Sequence, residues 1–351
     1  MVTHKLEGYI NIMKLGAMLD FLAEKKILFI GPKSFGYEQE IISNLEKIGA
    51  TVDYYNDRPF QSNLKKIILR LFPWILHGLV KDYFNNLIKV TSSNEYDYVF
   101  CIKLECFPLN LFKKLRTSQK KAVFIFYNWD SFVNNSNPLT HLNLFDKIMT
   151  FDDKDSKKYK MIHRPLFFID KYREIKNQPL KYDIAFIGSV HVHRYKFIKK
   201  FLISSPKNMT FFIYFYVPSK LLFFTRKLLL FPIYGSSKLE EFNFNSLSQP
   251  QIVNIFSKSN IILDYALPTQ EGLTMRSIEA LGAQKKLITN NKSIQNYDFY
   301  DKNNVLVIKK NCIEIPESFM TEAYIPIEPS VYEKYSIQGW IYDIFSQGYI
   351  N

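Results

Sequence analysis

The stretch Tyr182-Asp183-Ile184-Ala185-Phe186-Ile187-Gly188 is an apolar run that ends in glycine, and it opens the second half of the chain. The first half opens in the same way, with an apolar run over 27–30 followed by Gly31 and Pro32. In each half, further short apolar runs alternate with segments of helical spacing. Strands that alternate with helices predict parallel, doubly wound sheets, so we expect an α/β protein.

The predicted elements follow this alternation in both halves. In the first half, strands are predicted over 27–30, 51–55, 96–102, 122–127 and 145–151, with helices around 41–48 and 109–115. In the second half, strands are predicted over 183–187, 210–216, 261–265, 286–289 and 305–308, with helices over 194–202, 251–257 and 274–283. Two halves of this kind that face each other would enclose a ligand-binding cleft.

The domain boundaries follow from changes in composition. The charged, poorly apolar segment 171–181 separates the halves and is interpreted as a linker. This gives a first domain of residues 1–170 and a second of residues 182–330. Residues 331–351 begin with aromatic and aliphatic side chains at helical spacing, and we expect them to form a helix that packs back across both domains. A length of 351 residues also exceeds what one hydrophobic core usually serves.

Composition excludes several classes of protein. Hydrophobic residues make up 47% of the chain, which excludes wholesale disorder. The formal net charge of +13 suits a phosphorylated ligand, a nucleic acid or an anionic membrane surface, and charge alone does not choose among them. Cys101, Cys106 and Cys312 have no zinc-like spacing and are typical of a reduced cytosolic protein. Residues 1–24 lack an uninterrupted apolar core and no run reaches about 18 apolar residues, so neither a signal peptide nor a membrane-spanning helix is expected.

The segment 268–282 carries the most informative chemistry. It reads Pro-Thr-Gln-Glu-Gly-Leu-Thr-Met-Arg-Ser-Ile-Glu-Ala-Leu-Gly, follows a predicted buried strand and opens a helix. Gly272 lets the backbone approach a ligand, and Thr274 can cap the helix so that its free N–H groups face a phosphate. Glu271 then lies on the loop and Glu279 in the second helical turn, beside a ligand at the helix start.

This segment resembles the Glu-x7-Glu signature of retaining GT-B glycosyltransferases, with Glu271 and Glu279 at the two signature positions. The resemblance implies two Rossmann-like domains that face each other across a cleft, and transfer of a sugar with retention of anomeric configuration. It also implies that Glu271 contacts the donor sugar and Glu279 the nucleotide ribose, while helix amides hold the diphosphate. The run 186–189 looks like the glycine turn of the family's donor-binding domain. The donor-binding residues so expected are Gly188, Ser189, His191, Gly272, Leu273, Thr274 and Glu279.

Two arginines complete the predicted catalytic set. The family often has an arginine just after the glycine turn, where this chain has Ser189, so Arg194 is the first candidate for a phosphate ligand and Arg276 the second. Together with Glu271 they form the expected catalytic residues, since fixed positive groups stabilise a departing diphosphate without a metal ion. No cofactor is predicted. The alternative for the glutamate pair is an exposed, acidic helix face.

Several other motifs leave two interpretations open. His191-Val192-His193 lacks an evident third metal ligand, so a hydrogen bond to phosphate or sugar competes with a plain surface role. Gly31 and Gly36 belong to a turn that matches neither a dinucleotide nor a P-loop fingerprint, and it borders the acceptor side of the cleft or is structural. Asp130 follows a strand end, where it orients an acceptor hydroxyl or caps a helix.

Two basic, apolar stretches indicate contact with a membrane. Residues 64–90 and 217–234 mix lysine and arginine with large apolar side chains, which suits an anionic leaflet, and the alternative for each is a core helix with a basic outer face. Docking is favoured for the first stretch, while the second reads mostly as core.

The sequence therefore predicts a cytoplasmic enzyme, peripheral on the inner face of the cell membrane. It would transfer a sugar from a nucleotide-sugar donor to a glycan or glycolipid acceptor. The segments 272–276 and 298–300 are similar to bacterial lipopolysaccharide and surface-polysaccharide glycosyltransferases. The alternatives are a non-catalytic basic binding protein and a sugar-nucleotide epimerase. The first lacks a recognised RNA-binding signature, so no nucleic-acid partner is expected, and the second lacks a dinucleotide fingerprint.

Overall fold

The computed structural model describes residues 19–60, 73–176, 178–235, 237–309 and 314–346. Within these ranges the chain forms two compact units, each built on one six-stranded sheet. Unit 1 comprises Met1–Leu166 and Ile337–Asn351, and unit 2 comprises Phe167–Ser336.

The sheet of unit 1 is parallel throughout and has the strand order β2-β1-β3-β4-β5-β6. Its strands are short apolar runs, typical of a sheet covered on both faces. They are β1 (Lys26–Gly31), β2 (Thr51–Asn56), β3 (Tyr98–Ile102), β4 (Val123–Asn128), β5 (Lys147–Thr150) and β6 (Ile162–His163). The helices are α1 (Tyr37–Lys47), α2 (His77–Thr91), α3 (Leu109–Ser118) and α4 (Asp153–Tyr159), with short 3-10 turns at Asp20–Leu22, Pro73–Leu76, Asn137–Thr140 and Leu142–Leu144.

Helix α2 covers part of the first basic, apolar stretch, and one of its faces packs in the core of unit 1. Val80, Phe84 and Leu87 are buried, while Lys81 and Lys89 are exposed on the opposite side. The ring of Phe84 stacks on another core phenylalanine at a centroid distance of 3.9 Å. Residues 77–90 thus have a buried face, but Leu79 and Val90 are exposed, so membrane docking of this stretch stays a prediction. Residues 64–72 of the same stretch lie outside the described ranges.

The C-terminal segment forms two helices where the spacing predicts one. Pro329–Lys334 belongs to unit 2 and Ile337–Phe345 to unit 1. In unit 1, Trp340 is fully buried and its ring meets Tyr127 edge-on at 5.0 Å. The helix Ile337–Phe345 thereby covers one face of the unit 1 sheet.

The sheet of unit 2 is also parallel and has the order β12-β11-β10-β7-β8-β9. Its strands are β7 (Tyr182–Ser189), β8 (Phe211–Tyr216), β9 (Phe242–Asn243), β10 (Ser259–Leu263), β11 (Lys286–Thr289) and β12 (Val305–Val307). Its helices are α5 (Asp170–Arg173), α6 (Val192–Ser204), α7 (Lys220–Leu229), α8 (Phe231–Tyr234), α9 (Gln249–Ser257), α10 (Met275–Gly282), α11 (Glu317–Thr321) and α12 (Pro329–Lys334), with 3-10 turns at Leu239–Glu241 and Lys292–Asn296.

The strand order of unit 2 indicates where a ligand would bind. The chain leaves β7 in one direction through β8 and β9, then returns to the other side of β7 for β10 and the strands that follow. The reversal between β7 and β10 is a topological switch point, and in open parallel sheets ligands bind beyond the carboxyl ends of the strands at such a point. In unit 1 the same reversal lies between β1 and β3.

The segment predicted as a linker packs on unit 2. Tyr172 of α5 is fully buried, with its ring 5.5 Å from Phe256 of α9. Arg173 pairs with Glu333 of α12 at 2.7 Å. Farther along, the backbone N–H of Gln178 donates to the end of α9.

Candidate functional site

A capped helix start faces the switch point of unit 2. Thr274 is the N-cap of α10, and its Oγ1 accepts a hydrogen bond from the backbone N–H of Ser277 at 3.2 Å. The same hydroxyl donates to Asp264 Oδ2 at 2.8 Å, and the hydroxyl of Ser277 donates to that oxygen at 3.0 Å. Asp264 is buried and directly follows β10. The predicted cap is therefore present, and a buried carboxylate fixes it to the end of a strand.

The loop before α10 is held from the next strand. Asn291, which follows β11, donates from Nδ2 to the carbonyl oxygens of Glu271 at 3.0 Å and Gly272 at 3.3 Å. Asn290 exchanges two hydrogen bonds with the backbone of Ala266, at 2.8 and 3.0 Å. Both ends of the loop are thereby tied to the carboxyl end of β11, which restricts the backbone around the predicted ligand.

Arg194 joins the two strand ends of the switch point. Its Nη1 donates to the carbonyl oxygen of Ser189 at 2.8 Å, and its Nη2 donates to that of Tyr265 at 3.0 Å. Its Nε is buried and has no hydrogen-bond partner within the described part of the chain. Burial lowers the pKa of the guanidinium, and the nearby carboxylate of Asp264 opposes that shift. The hydrogen bonds to neutral carbonyls leave its positive charge in place.

Gly188 provides room for this arginine. A Cβ at that position would lie 2.9 Å from the ring of Phe186 and 3.4 Å from Arg194 Nη1. Any side chain there would displace the ring or the guanidinium. The predicted glycine turn thus has a packing reason in the structure.

The second predicted arginine pairs with the second signature glutamate. Arg276 and Glu279 form an ion pair across one turn of α10, and both side chains are largely buried. The guanidinium carbon of Arg276 also lies 5.3 Å from the ring centre of Phe256. Glu271, in contrast, is exposed on the loop. The acidic residues are therefore unlike each other: one is buried and paired within the helix, and one is presented to solvent.

The remaining donor-side predictions lie close to these groups in the chain. Leu273 is buried under the loop and does not present its side chain to solvent. His191 is the exposed N-cap residue of α6, and its side chain makes no capping hydrogen bond. His193 lies in the first turn of the same helix. Among the described residues, no group of three His, Cys, Asp or Glu side chains is placed to hold a metal ion.

In unit 1, each of the three predicted acceptor-side residues has a structural role in a turn or at a strand end. Gly36 has φ 83° and is the N-cap of α1, so the turn requires a left-handed residue. Gly31 ends β1, and its carbonyl accepts from the hydroxyl of Tyr54 at 2.9 Å. Asp130 pairs with Lys103 at 2.9 Å and accepts from the side chain of Asn134 at 3.0 Å. The structure thus shows Asp130 in local contacts that order the turn after β4.

Two polar residues at this edge of the unit 1 sheet are absent from the predictions. Asp57 follows β2 and is fully buried; burial raises the pKa of its carboxyl to about 6, against the lowering effect of a 2.8 Å hydrogen bond from the backbone of Glu105. Asn128, the last residue of β4, is buried, and its side-chain amide has no hydrogen-bond partner in the described ranges. Such groups are costly unless a ligand or water satisfies them.

The signal that identifies these residues is their position. Asp57, Asn128, Asp264 and Asn290 each end or follow a strand of a parallel sheet, on the edge where ligands bind. In contrast, Asp298, from the segment 298–300, pairs with Lys334 at 2.6 Å and has a structural role within unit 2.

No protein family and no curated protein matches the sequence, but solved structures resemble the fold. HepE from Anabaena, in complex with UDP and glucose, has a TM-score of 0.54 at 10% identity over 92% of this chain and 100% of that one. A trehalose-6-phosphate synthase analysed for glycosyltransfer with retention has a TM-score of 0.56 at 11% identity over 91% and 98%. Sucrose-phosphate synthase from Thermosynechococcus elongatus has a TM-score of 0.51 at 10% identity over 93% and 95%. At these identities the likeness shows the fold alone, and it confirms the predicted α/β, GT-B class.

Proposed function

We propose that this protein is a glycosyltransferase that binds a nucleotide-sugar donor at the start of α10. The observation that carries the proposal is the convergence at the switch point of unit 2. A capped helix start, a glycine-containing loop, a buried arginine and a paired glutamate meet there, beyond the carboxyl ends of β7, β10 and β11. The fold is that of HepE, which binds UDP and glucose.

The donor diphosphate is assigned to the N-terminal end of α10. The first N–H groups of a helix lack partners within the helix and carry partial positive charge, so they suit an anion. Arg194 supplies a full positive charge from the adjacent strand ends. As the bond between the anomeric carbon and the phosphate oxygen breaks, the electron pair leaves with the diphosphate, and these groups stabilise the growing charge. The proposal requires no metal ion, since positive charge comes from the protein.

The two signature glutamates have separate roles in this scheme. Glu279 is buried in the second turn of α10, where it accepts hydrogen bonds from the ribose. Glu271 is exposed on the loop, where it contacts the donor sugar. The trehalose-6-phosphate synthase of similar fold was analysed for transfer with retention, which supports the same stereochemistry here.

The acceptor is assigned to unit 1 and to a membrane-associated glycan. Gly31, Gly36 and Asp130 mark the carboxyl edge of the unit 1 sheet, and the buried Asp57 and Asn128 add hydrogen-bonding groups suited to sugar hydroxyls. The net charge of +13 is compatible with work at an anionic membrane, as in enzymes that extend a lipid-linked surface glycan on the cytoplasmic side.

The test is a thermal-shift screen with UDP, GDP, ADP and CMP, followed by donor hydrolysis with the matching nucleotide sugars. We expect one nucleotide to raise the melting temperature, since ligand bound to the native state stabilises it. Glu279→Gln should weaken binding of that nucleotide about tenfold, because a neutral amide oxygen accepts a weaker hydrogen bond from the ribose than a carboxylate does. Glu271→Ala should leave free nucleotide binding intact and slow sugar transfer. EDTA should change neither nucleotide binding nor the rate of sugar transfer.

The matched control is Glu317→Ala, which removes an exposed glutamate of α11 in the same unit. Its nucleotide affinity and its rate of transfer should equal those of the wild type. If none of the four nucleotides binds, or if Glu279→Gln and Glu317→Ala bind equally well, the donor site is not at α10.

A further inference from the structure

Helix α7 and the start of α8 present a large apolar face to solvent. The exposed fractions are 75% for Leu221, 53% for Phe224, 80% for Leu228, 79% for Leu229 and 66% for Phe231. In α7, residues 221, 224 and 228 follow helical spacing and therefore lie along one stripe. Contiguous exposed apolar side chains of this size mark an interaction surface in most proteins. This corrects the prediction that the stretch 217–234 is mostly core.

The helix is firmly attached through its other side. Phe223 is buried, and its ring lies 4.7 Å from Phe242 of β9. Arg226 donates from Nη1 to the carbonyl of Val190 at 2.9 Å, and Lys227 donates to the carbonyl of Ser237 at 2.8 Å. These contacts order α7 on unit 2, so the apolar stripe is a fixed feature of the surface.

The chain around the stripe is basic. Residues 217–239 contain Lys220, Arg226, Lys227 and Lys238 and no aspartate or glutamate, and Glu240 and Glu241 follow. Lys220 lies at the first position of α7, and Lys238 is exposed next to the residue that Lys227 contacts. A leucine- and phenylalanine-rich helix face with lysines beside it is the pattern of helices that lie in the interface of an anionic bilayer. Across the described residues, no helix has the length and apolar character needed to cross one.

We propose that the apolar face of α7 and α8 docks unit 2 on a bilayer that contains anionic phospholipids. Leu221, Phe224 and Leu228 enter the acyl boundary, while Lys220 and Lys238 contact lipid phosphates. A second copy of the chain is the weaker occupant, because a symmetric contact would bring the same basic residues against each other. This inference rests on the proposed function in one respect, the membrane location of the acceptor.

The experiment is flotation of the full-length protein with two kinds of vesicle. One is phosphatidylcholine with one third phosphatidylglycerol, and the other is phosphatidylcholine alone. The wild type should bind the anionic vesicles and leave the neutral ones largely unbound. Leu221→Glu/Leu228→Glu should lower the binding by at least about tenfold, since charge in the acyl boundary is unfavourable. Lys220→Gln/Lys238→Gln should lower it by about fivefold for each lysine removed.

The matched control is Leu180→Glu/Ile203→Glu, which adds the same charge at two exposed aliphatic positions of unit 2 that lie outside α7 and α8. It should bind anionic vesicles within about threefold of the wild type. Equal vesicle binding by Leu221→Glu/Leu228→Glu and Leu180→Glu/Ile203→Glu, or no vesicle binding by the wild type, would overturn the proposal. A wild-type dimer that Leu221→Glu/Leu228→Glu dissociates would assign the face to a second copy instead.

Nucleotide binding separates this inference from the proposed function. All three double variants should keep the wild-type thermal shift with the nucleotide that the screen selects, because none of the six altered residues belongs to the α10 site. Loss of vesicle binding with intact nucleotide binding therefore tests the docking face alone. A wild type that binds vesicles but no nucleotide would instead refute the donor site and leave the docking face standing.

Discussion

Replacement of Arg194 by lysine tests the arginine that joins the two strand ends. The substitution keeps the positive charge but removes the planar fork that reaches the carbonyls of Ser189 and Tyr265, 2.8 and 3.0 Å away. A single ammonium group replaces at most one of these hydrogen bonds well, so one carbonyl loses its donor. A hydrogen bond from a charged donor contributes about 1.5–3 kcal/mol. We expect the free energy of unfolding to fall by about 2 kcal/mol, which corresponds to roughly 4–8 °C in the melting temperature for a unit of this size.

The assay is thermal denaturation followed by circular dichroism, with and without the nucleotide that binds the wild type. Arg226→Lys is the matched control, because among the described residues Arg226 donates to one carbonyl, that of Val190, and a lysine can replace a single bond. The melting temperature of Arg226→Lys should fall by less than half of the fall expected for Arg194→Lys. If Arg194→Lys melts within about 1 °C of the wild type, the two-carbonyl bridge contributes little to stability and the reasoning is wrong.

Three further substitutions test the supports of the two sheet edges. Asn291→Ala removes the donor to two loop carbonyls; we expect a loss of about 1–3 kcal/mol and a higher KM for the donor, measured by urea unfolding and kinetics. Thr274→Val removes the cap of α10 and its bond to Asp264; unfolding should become easier by about 1–2 kcal/mol, and Thr274→Ser should restore most of it. Asp57 has a pKa of about 6 in the folded state, against 3.8 ordinarily, so the unfolded chain ionises first. The stability of the wild type should therefore fall by up to about 3 kcal/mol as the pH rises from about 4 to 6. Asp57→Asn should remove that part of the slope, and an unchanged slope would contradict the assignment.

The sequence predicted the strands well where apolar runs are long and bounded by polar or turn residues. The run 286–289 has the bounds of β11, and 27–30 lies within β1. The strands β6 and β9 have two residues each, which is too short to give a periodic signal. Between 221 and 231 eight of eleven residues are apolar, and they lie on more than one side of a helix, so the sequence does not show which face is buried. The sequence alone therefore favours the core for a stretch whose α7 face is exposed.

In the candidate site, contacts between residues close in the chain can be predicted from the sequence, and contacts between distant residues cannot. The Thr274 cap was predictable because its partner, Ser277, is three residues away in the chain. The carbonyl of Tyr265, which Arg194 contacts, is 71 residues distant in sequence. Only the adjacency of β7 and β10 in the sheet brings the two together, and the strand order was not derivable from periodicity.

The two arginines of the candidate site are not equivalent, although the sequence places both as phosphate ligands. Arg276 is paired with the carboxylate of Glu279, so a diphosphate must share or replace that partner in order to bind it. Arg194 is held by two neutral carbonyls, and its buried Nε has no partner in the described ranges. In the proposed function, a diphosphate leaving group would therefore meet at Arg194 a guanidinium whose hydrogen bonds go to neutral carbonyls, with the carboxylate of Asp264 nearby, and at Arg276 one that already forms an ion pair. Because burial lowers the pKa of Arg194, an anionic ligand beside it would stabilise its charged form. Within the proposed function, the charge that stabilises the leaving group is thus assigned first to Arg194, and Arg276 and Glu279 would act as a pair that orients the nucleotide.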